Sequence, residues 1–217
     1  MSKFWKELFD LNRSIAGEAI GACCYPWEFL QEIEEFILSA KLDFGQYRDL
    51  GNHRFVHKSV EMHASVNIEG PCIVGENTRL RQGAYLRKNV IIGKECVVGN
   101  STEIKNSVLF DGVQVPHFNY VGDSILGHKA HLGAGAVTSN VKADRSDVVI
   151  AFREGIVTGR RKLGAMVGDC VEVGSNSVLN PGTIVGRNTV VYPLSSVRGV
   201  IAPDCIYKSK DDVVRRK

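Results

Sequence analysis

A period of six residues constrains this chain more than any other feature. From residue 62 it reads MHASVN, IEGPCI, VGENTR, LRQGAY, LRKNVI, IGKECV and VGNSTE, and slips to five at IKNSV. It resumes as LFDGVQ, VPHFNY, VGDSI, LGHKAH and LGAGAV, and returns later as VGDCVE, VGSNSV, LNPGTI, VGRNTV and VYPLSS. Each unit begins with an aliphatic residue. The fifth position is small or β-branched, as at Cys72, Thr78, Ala84, Val90, Cys96, Thr102, Ala130, Ala136, Ser177, Thr183 and Thr189. A repeat this short is one strand and one turn, unable to bury its apolar side chain alone; stacked copies can. Three units make a triangular coil, with the aliphatic residue pointing inward and the small one in a cramped corner. Glycine, frequent at the second position, predicts a backbone conformation costly for other residues. A β-sandwich would instead place turns about every 8 to 12 residues.

The expectation is therefore an all-β solenoid over residues 56–206, with an N-terminal helical cap over 1–55 and a basic C-terminal tail over 207–217. Within the first segment, Phe29, Leu30, Ile33, Phe36 and Ile37 form one face of an amphipathic helix over Pro26–Ala40, with Pro near its start. A shorter helix is expected over Lys3–Leu11. The hexad fails between Val141 and Met166, which predicts a loop extruded at 141–166; such excursions in a solenoid gather on the binding face.

Composition narrows the function classes. The formal net charge is +3, and Lys and Arg cluster only at Arg160, Arg161 and Lys162 and at Arg215, Arg216 and Lys217. No basic stripe suited to nucleic acid is present. Charge interrupts every apolar run, and the start carries acidic residues and no clean apolar stretch, so neither a membrane span nor a signal peptide is expected and the chain reads as cytoplasmic. The six cysteines show no metal-ligand spacing and read as reduced packing residues.

The segment Gly99–Asn140, GNSTEIKNSVLFDGVQVPHFNYVGDSILGHKAHLGAGAVTSN, carries His-x-x-Tyr, Gly-Asp, Gly-Ala-Gly and Asn in order. It resembles the acetyltransferase β-helix of bifunctional glucosamine-1-phosphate N-acetyltransferase / N-acetylglucosamine-1-phosphate uridylyltransferases, and GRRKLGA resembles the sugar-1-phosphate nucleotidyltransferase-acetyltransferase branch. The resemblance implies a left-handed parallel β-helix, a homotrimer with active sites between adjacent helices, and acetyl transfer from acetyl-CoA to an amino-sugar 1-phosphate, with no metal required. It places His117 as catalytic base, Tyr120 and Asn140 as contacts to substrate and acetyl group, and Ala134 as main-chain lining of the thioester pocket. It makes Arg87 and Lys105 the cations that hold the sugar phosphate, and Ser175 a hydroxyl near the developing oxyanion. Chemistry supports the His: a sugar ammonium must lose a proton before attacking a thioester, and imidazole is suited to take it. Arg87 and Lys105 are also 18 residues apart, one coil in an uninterrupted count, which should stack them on one face.

His131 stands where the bifunctional enzymes have an Asn contact. Arg160, Arg161 and Lys162 either bind CoA phosphates from a neighbouring subunit or solvate a loop. The residues ahead of the repeat hold no Gly-rich phosphate loop, so no nucleotidyltransferase half is expected, although a separate one is a possible partner. Three alternatives stay open: a non-catalytic β-helix scaffold, a zinc carbonic anhydrase on the same fold, and O-acetylation.

Overall fold

In the computed structural model, residues 7–216 are described. Three parallel sheets form the faces of a triangular prism, and the chain visits them in constant order. Tyr47–Asp49 lines the edge of face A, antiparallel to Arg54–His57, the first coiled strand; face B begins with Glu61–Met62 and face C with Asn67–Ile68, and Cys72–Val74 then returns to face A and pairs in register with Arg54–Val56. Faces A and B each hold nine strands and face C seven. The chain is a left-handed parallel β-helix with few helices. Regular coiling starts at Arg54, two residues ahead of the expected boundary.

The repeat positions behave as their chemistry requires. First-position residues such as Leu86, Ile92, Val98, Ile104, Val121, Leu126 and Leu132 are buried. Each contributes about 1.5–3 kcal/mol when fully removed from water. The small fifth positions, Cys72 through Thr189, are all buried as well. Where the corner residue is Thr or Ser its hydroxyl bonds the next coil's backbone: Thr78 Oγ1 donates to Gly93 O at 2.9 Å, and Thr102 Oγ1 to Val115 O at 3.0 Å. A buried hydroxyl without such a carbonyl would cost stability.

Glycine's role differs from the expectation. The second-position glycines are absent from the left-handed region; that conformation falls at the fourth position, on Asn77, Gly83, Asn89, Ser101, Gly135, Asn176 and Asn188 among others. Second-position glycines serve close approach between coils instead. A Cβ on Gly99 would lie 1.5 Å from Pro116 O, and one on Gly75 would lie 2.6 Å from Gly93 C and O.

The N-terminal segment runs along a flank of the prism, and its end reaches the first coil, where Tyr47–Asp49 pairs antiparallel with Arg54–His57. Leu8 O accepts from Asp169 N at 3.1 Å, Asp10 N donates to Asp169 Oδ2 at 2.6 Å, and Arg13 O accepts from Asp111 N at 2.9 Å, so the segment travels from later coils toward earlier ones. Phe9 packs on Phe110 with ring centroids 5.2 Å apart. The expected helix over Pro26–Ala40 is broken at Glu32 into a 3-10 helix, Pro26–Gln31, and an α-helix, Ile33–Ser39, the latter packed on the face A strand Val90–Ile92. The predicted inward residues Phe29, Leu30, Ile33 and Ile37 are buried, and Phe36 partly so. Of the helix expected over Lys3–Leu11, residues 3–6 lie outside the described residues and 7–10 are non-helical; an unanticipated helix covers Gly17–Ala22. At the other end the expected tail is structured. Cys205–Ser209 pairs with Val190–Val191, and Asp212–Arg215 folds back antiparallel upon it.

The excursion leaves the solenoid after Val137–Thr138 and returns at Ala165–Val167, whose Met166 pairs with Ile125 of the preceding coil. It is less extruded than expected. Val149–Ile150 and Ile156–Val157 make an antiparallel ribbon, Val141 bridges Lys162, and Val148, Ile150 and Leu163 are buried. The ribbon lies against the later corners between faces C and A, where a Cβ on Gly182 would meet Val148 Cγ1 at 2.7 Å.

Candidate active site

The residues singled out from sequence fall into two groups bordering face C. The first is a column at the corner between faces B and C. There the backbone repeats one hydrogen bond per coil: Phe118 N donates to Asn100 O at 2.8 Å, Gly135 N to His117 O at 3.0 Å, Asn176 N to Ala134 O at 2.8 Å, and Leu194 N to Ser175 O at 2.9 Å. His117, Ala134 and Ser175 thus occupy the same turn position in three successive coils, about 4.8 Å apart per step. The His117 side chain is exposed, and among the described residues no hydrogen bond is made by its ring. Asn119 holds the turn from behind: its Oδ1 accepts from His117 N at 3.1 Å, and its Nδ2 donates to Gly133 O at 2.8 Å and Ala136 O at 3.0 Å.

The second group lies on face C and its corner with face A. Glu103 pairs with Tyr85 on one side and Tyr120 on the other, and Lys105 pairs with Gly122. Arg87, one residue past the Leu86–Ile104 pair, therefore stacks beside Lys105 as the 18-residue spacing predicted. Neither cation is free. Arg87 Nη1 bonds Glu103 Oε1 at 2.9 Å, and Lys105 Nζ lies 3.4 Å from Asp123 Oδ2. The first pair is roughly a third exposed on each side, while Asp123 is only 5% exposed.

Asp123 is the residue sequence reasoning passed over, although it stands in the quoted Gly-Asp. Its Oδ1 accepts from Asn106 Nδ2 at 2.8 Å and its Oδ2 from Asn140 Nδ2 at 2.5 Å. Asn140 Nδ2 also donates to the Tyr120 hydroxyl at 3.2 Å. The Tyr120 ring reaches that bond by lying across Gly122, where an added Cβ would come within 2.5–2.8 Å of the ring and hydroxyl. Burial pushes the Tyr120 phenol upward, opposed by the Asn140 bond and reinforced by the charges of Asp123 and Glu103. One arithmetic signal was available: Asp123 follows Lys105 by 18 residues, the spacing that linked Lys105 to Arg87.

The three basic residues of the excursion diverge. Arg160 turns inward: burial pulls its guanidinium down against the opposing charge of Asp123, and its buried Nη1 has no hydrogen-bond partner among the described residues. Arg161 and Lys162 are exposed, with Arg161 Nε donating to Arg145 O at 3.2 Å. His131 Nδ1 sits 2.7 Å from Glu172 Oε2, and His128 Nδ1 lies 2.7 Å from Asp111 O. All six cysteines are free, with Cys72, Cys96 and Cys205 buried as the repeat required of the first two.

Residues 68–191 match a known family, described as the GMPPB C-terminal domain. The chain belongs to that family. Within it, the chain is 34% identical over 187 residues to a bifunctional sugar-1-phosphate nucleotidylyltransferase/acetyltransferase of Sulfurisphaera tokodaii, covering 77% of this chain and 43% of that protein. It is 33% identical over 117 residues to the bifunctional protein GlmU of Methanococcus maripaludis, covering 54% and 28%. It is 30% identical over 180 residues to an uncharacterized acetyltransferase, YaiX, of Escherichia coli, covering 73% and 78%. This member of the GMPPB C-terminal domain family thus spans less than half the length of the two bifunctional relatives. Among solved structures it aligns with PerB of Caulobacter crescentus at 16% identity and a TM-score of 0.40, over 73% of this chain and 55% of that one. Among the described residues, no helix is long and apolar enough to cross a membrane.

Proposed function

We propose that this chain transfers the acetyl group of acetyl-CoA to the amine of an amino-sugar 1-phosphate. The observation that carries the reading is the B–C corner column: an exposed imidazole, a Gly-Ala-Gly turn and a serine turn, stacked in three consecutive coils beside the polar surface of face C. Two relatives named as acetyltransferases, one of them also a sugar-1-phosphate nucleotidylyltransferase by name, support the same class.

In this reading His117 takes the proton from the sugar ammonium, and the freed nitrogen attacks the thioester carbon. The carbonyl oxygen gains negative charge in the tetrahedral intermediate, where the Ser175 hydroxyl and main-chain groups around Ala134 are the nearby donors. As the intermediate collapses, the C–S bond breaks, the departing CoA thiolate takes up the proton held by the imidazolium, and the nitrogen releases its second proton to solvent as the neutral amide forms. Face C supplies acceptor binding. The exposed Arg87–Glu103 pair is worth only about 0–1 kcal/mol, so a phosphate dianion can draw Arg87 from it at small cost. Arg161 and Lys162 are assigned to the CoA phosphates. A homotrimer would set the corner column of one copy against a neighbour and complete the cleft; cytoplasmic location and a separate nucleotidyltransferase partner belong to the same proposal.

His117→Ala should lower kcat by about 10² or more without changing acetyl-CoA binding. Replacing Arg87 or Lys105 by Ala should raise the acceptor KM. Full turnover by the His117 variant would remove the assigned base. One observation favours a second reading, a non-catalytic β-helix scaffold: both face C cations already carry a carboxylate partner. Calorimetric titration with acetyl-CoA separates the two, because a scaffold shows no binding at millimolar concentration.

A further inference from the structure

We infer that Asp123 is a positioning residue that fixes the hydrogen-bond polarity of the Asn140–Tyr120 pair, so that the site offers one acceptor beside one donor. The inference deepens the acceptor-site reading above and rests on it for its kinetic arm. Asp123 sits at the C–A corner with φ 49°, a left-handed conformation, and its carboxylate is almost fully enclosed. A carboxylate only accepts hydrogen bonds, so whichever end of the Asn140 amide faces Oδ2 must be the NH2 end. The 2.5 Å Asn140–Asp123 contact therefore sets the amide's orientation.

Counting protons gives the consequence. The Asn140 NH2 has two hydrogens, and both are used: one on Asp123 Oδ2, the other on the Tyr120 hydroxyl at 3.2 Å. Asn140 Oδ1 is left as a bare acceptor, to which no donor of the described residues bonds. The Tyr120 oxygen, already accepting from Asn140, offers its own proton outward. Lys105 and Asn106 also donate to the carboxylate, and the Arg160 guanidinium feels its charge. The matching ligand presents an N–H or O–H donor next to an oxygen acceptor. An amine with a neighbouring sugar hydroxyl or ring oxygen has that pattern.

The first test needs no activity. In the full-length 15N-labelled protein, the Asn140 side-chain NH2 should exchange with solvent at least about tenfold more slowly than an asparagine in an unstructured peptide, as expected for a bond to a charged group. Asp123→Ala should abolish that protection. Free-peptide exchange in the wild type overturns the inference, whether or not the variant folds. The second test is kinetic. Asp123→Asn tolerates the same left-handed backbone and should raise the KM for glucosamine 1-phosphate about tenfold, with the acetyl-CoA KM changed less than about twofold. In an Asn140→Ala background the same change should have no further effect on that KM, because the carboxylate acts through the amide. Independent, multiplying effects would overturn the inference. A wild-type protein that acetylates no amino-sugar phosphate refutes the proposed function instead, and amide exchange then decides this inference alone.

Discussion

Gly122→Ala isolates the acceptor side of the site from the fold. Gly122 lies under the Tyr120 ring, and a methyl there would meet the hydroxyl oxygen at 2.5 Å and ring carbons at 2.8 Å. Reaching the 3.4 Å of ordinary contact requires the ring to retreat by about 0.9 Å. A retreat of that size breaks the 3.2 Å bond between Tyr120 and Asn140. Losing one neutral hydrogen bond is worth about 0.5–1.5 kcal/mol, which is roughly a 2- to 12-fold rise in the acceptor KM. The Tyr120 side chain is only half-buried and can swing toward solvent, so global stability should fall by less than about 1.5 kcal/mol, read from urea unfolding by circular dichroism. Acetyl-CoA affinity by calorimetry should be unchanged. An unaltered acceptor KM, or a loss of acetyl-CoA binding equal to the loss of acceptor binding, would refute the assignment of Tyr120 to the acceptor side.

The same substitution at Gly99 should behave oppositely, since its methyl would fall 1.5 Å from the Pro116 carbonyl oxygen, which is backbone; we expect a loss above about 3 kcal/mol or no folded protein, seen as a shift in urea midpoint. Ile91→Ala, at a fully buried face A position, should cost about 2–5 kcal/mol in the same assay. Burial pushes the Cys72 and Cys96 thiols from 9.0 up to about 12. Their protonated form is thus favoured by the folded state: stability from this source is complete below pH 9 and is lost between pH 9 and 12, at about 1.4 kcal/mol per pH unit for each thiol. Urea midpoints measured from pH 8 to 10.5 should show that slope, reduced in Cys96→Ala. Under native conditions near pH 8, iodoacetamide followed by mass spectrometry should label the exposed Cys24 and Cys170 and spare Cys72, Cys96 and Cys205.

The solenoid was legible because its information is local. An aliphatic residue every six positions reports the same inward direction in every coil, and a small residue four places later reports the same cramped corner; no distant contact is needed to read either. The alignment of Arg87 with Lys105 was legible for that reason, being a count along the chain. So was the break at Val141, where the count stops.

Other features depend on neighbours that no period announces. The second-position glycines looked like a conformational requirement, yet at Gly75 and Gly99 what excludes a side chain is the backbone of the next coil, at Gly93 and Pro116, about 17 or 18 positions on. The amphipathic face of residues 29–37 foretold burial but not its partner, and the segment lies along face A rather than over the first coil. The ionic state of the site was likewise invisible. Two cations read from the sequence as a phosphate clamp proved to be paired with Glu103 and Asp123, and Arg160, read as either a CoA-phosphate ligand or a solvated loop residue, is half-buried and feels the charge of Asp123.

By itself, then, the sequence determined that the chain coils, where it coils and which side chains point inward, since burial of a periodic apolar row is the dominant favourable term and is written residue by residue. Only the tertiary structure decided which polar groups meet at the corners. Hydrogen bonds and ion pairs depend on distances of a few tenths of an ångström between side chains on different coils, and that precision exists only after the coils have stacked.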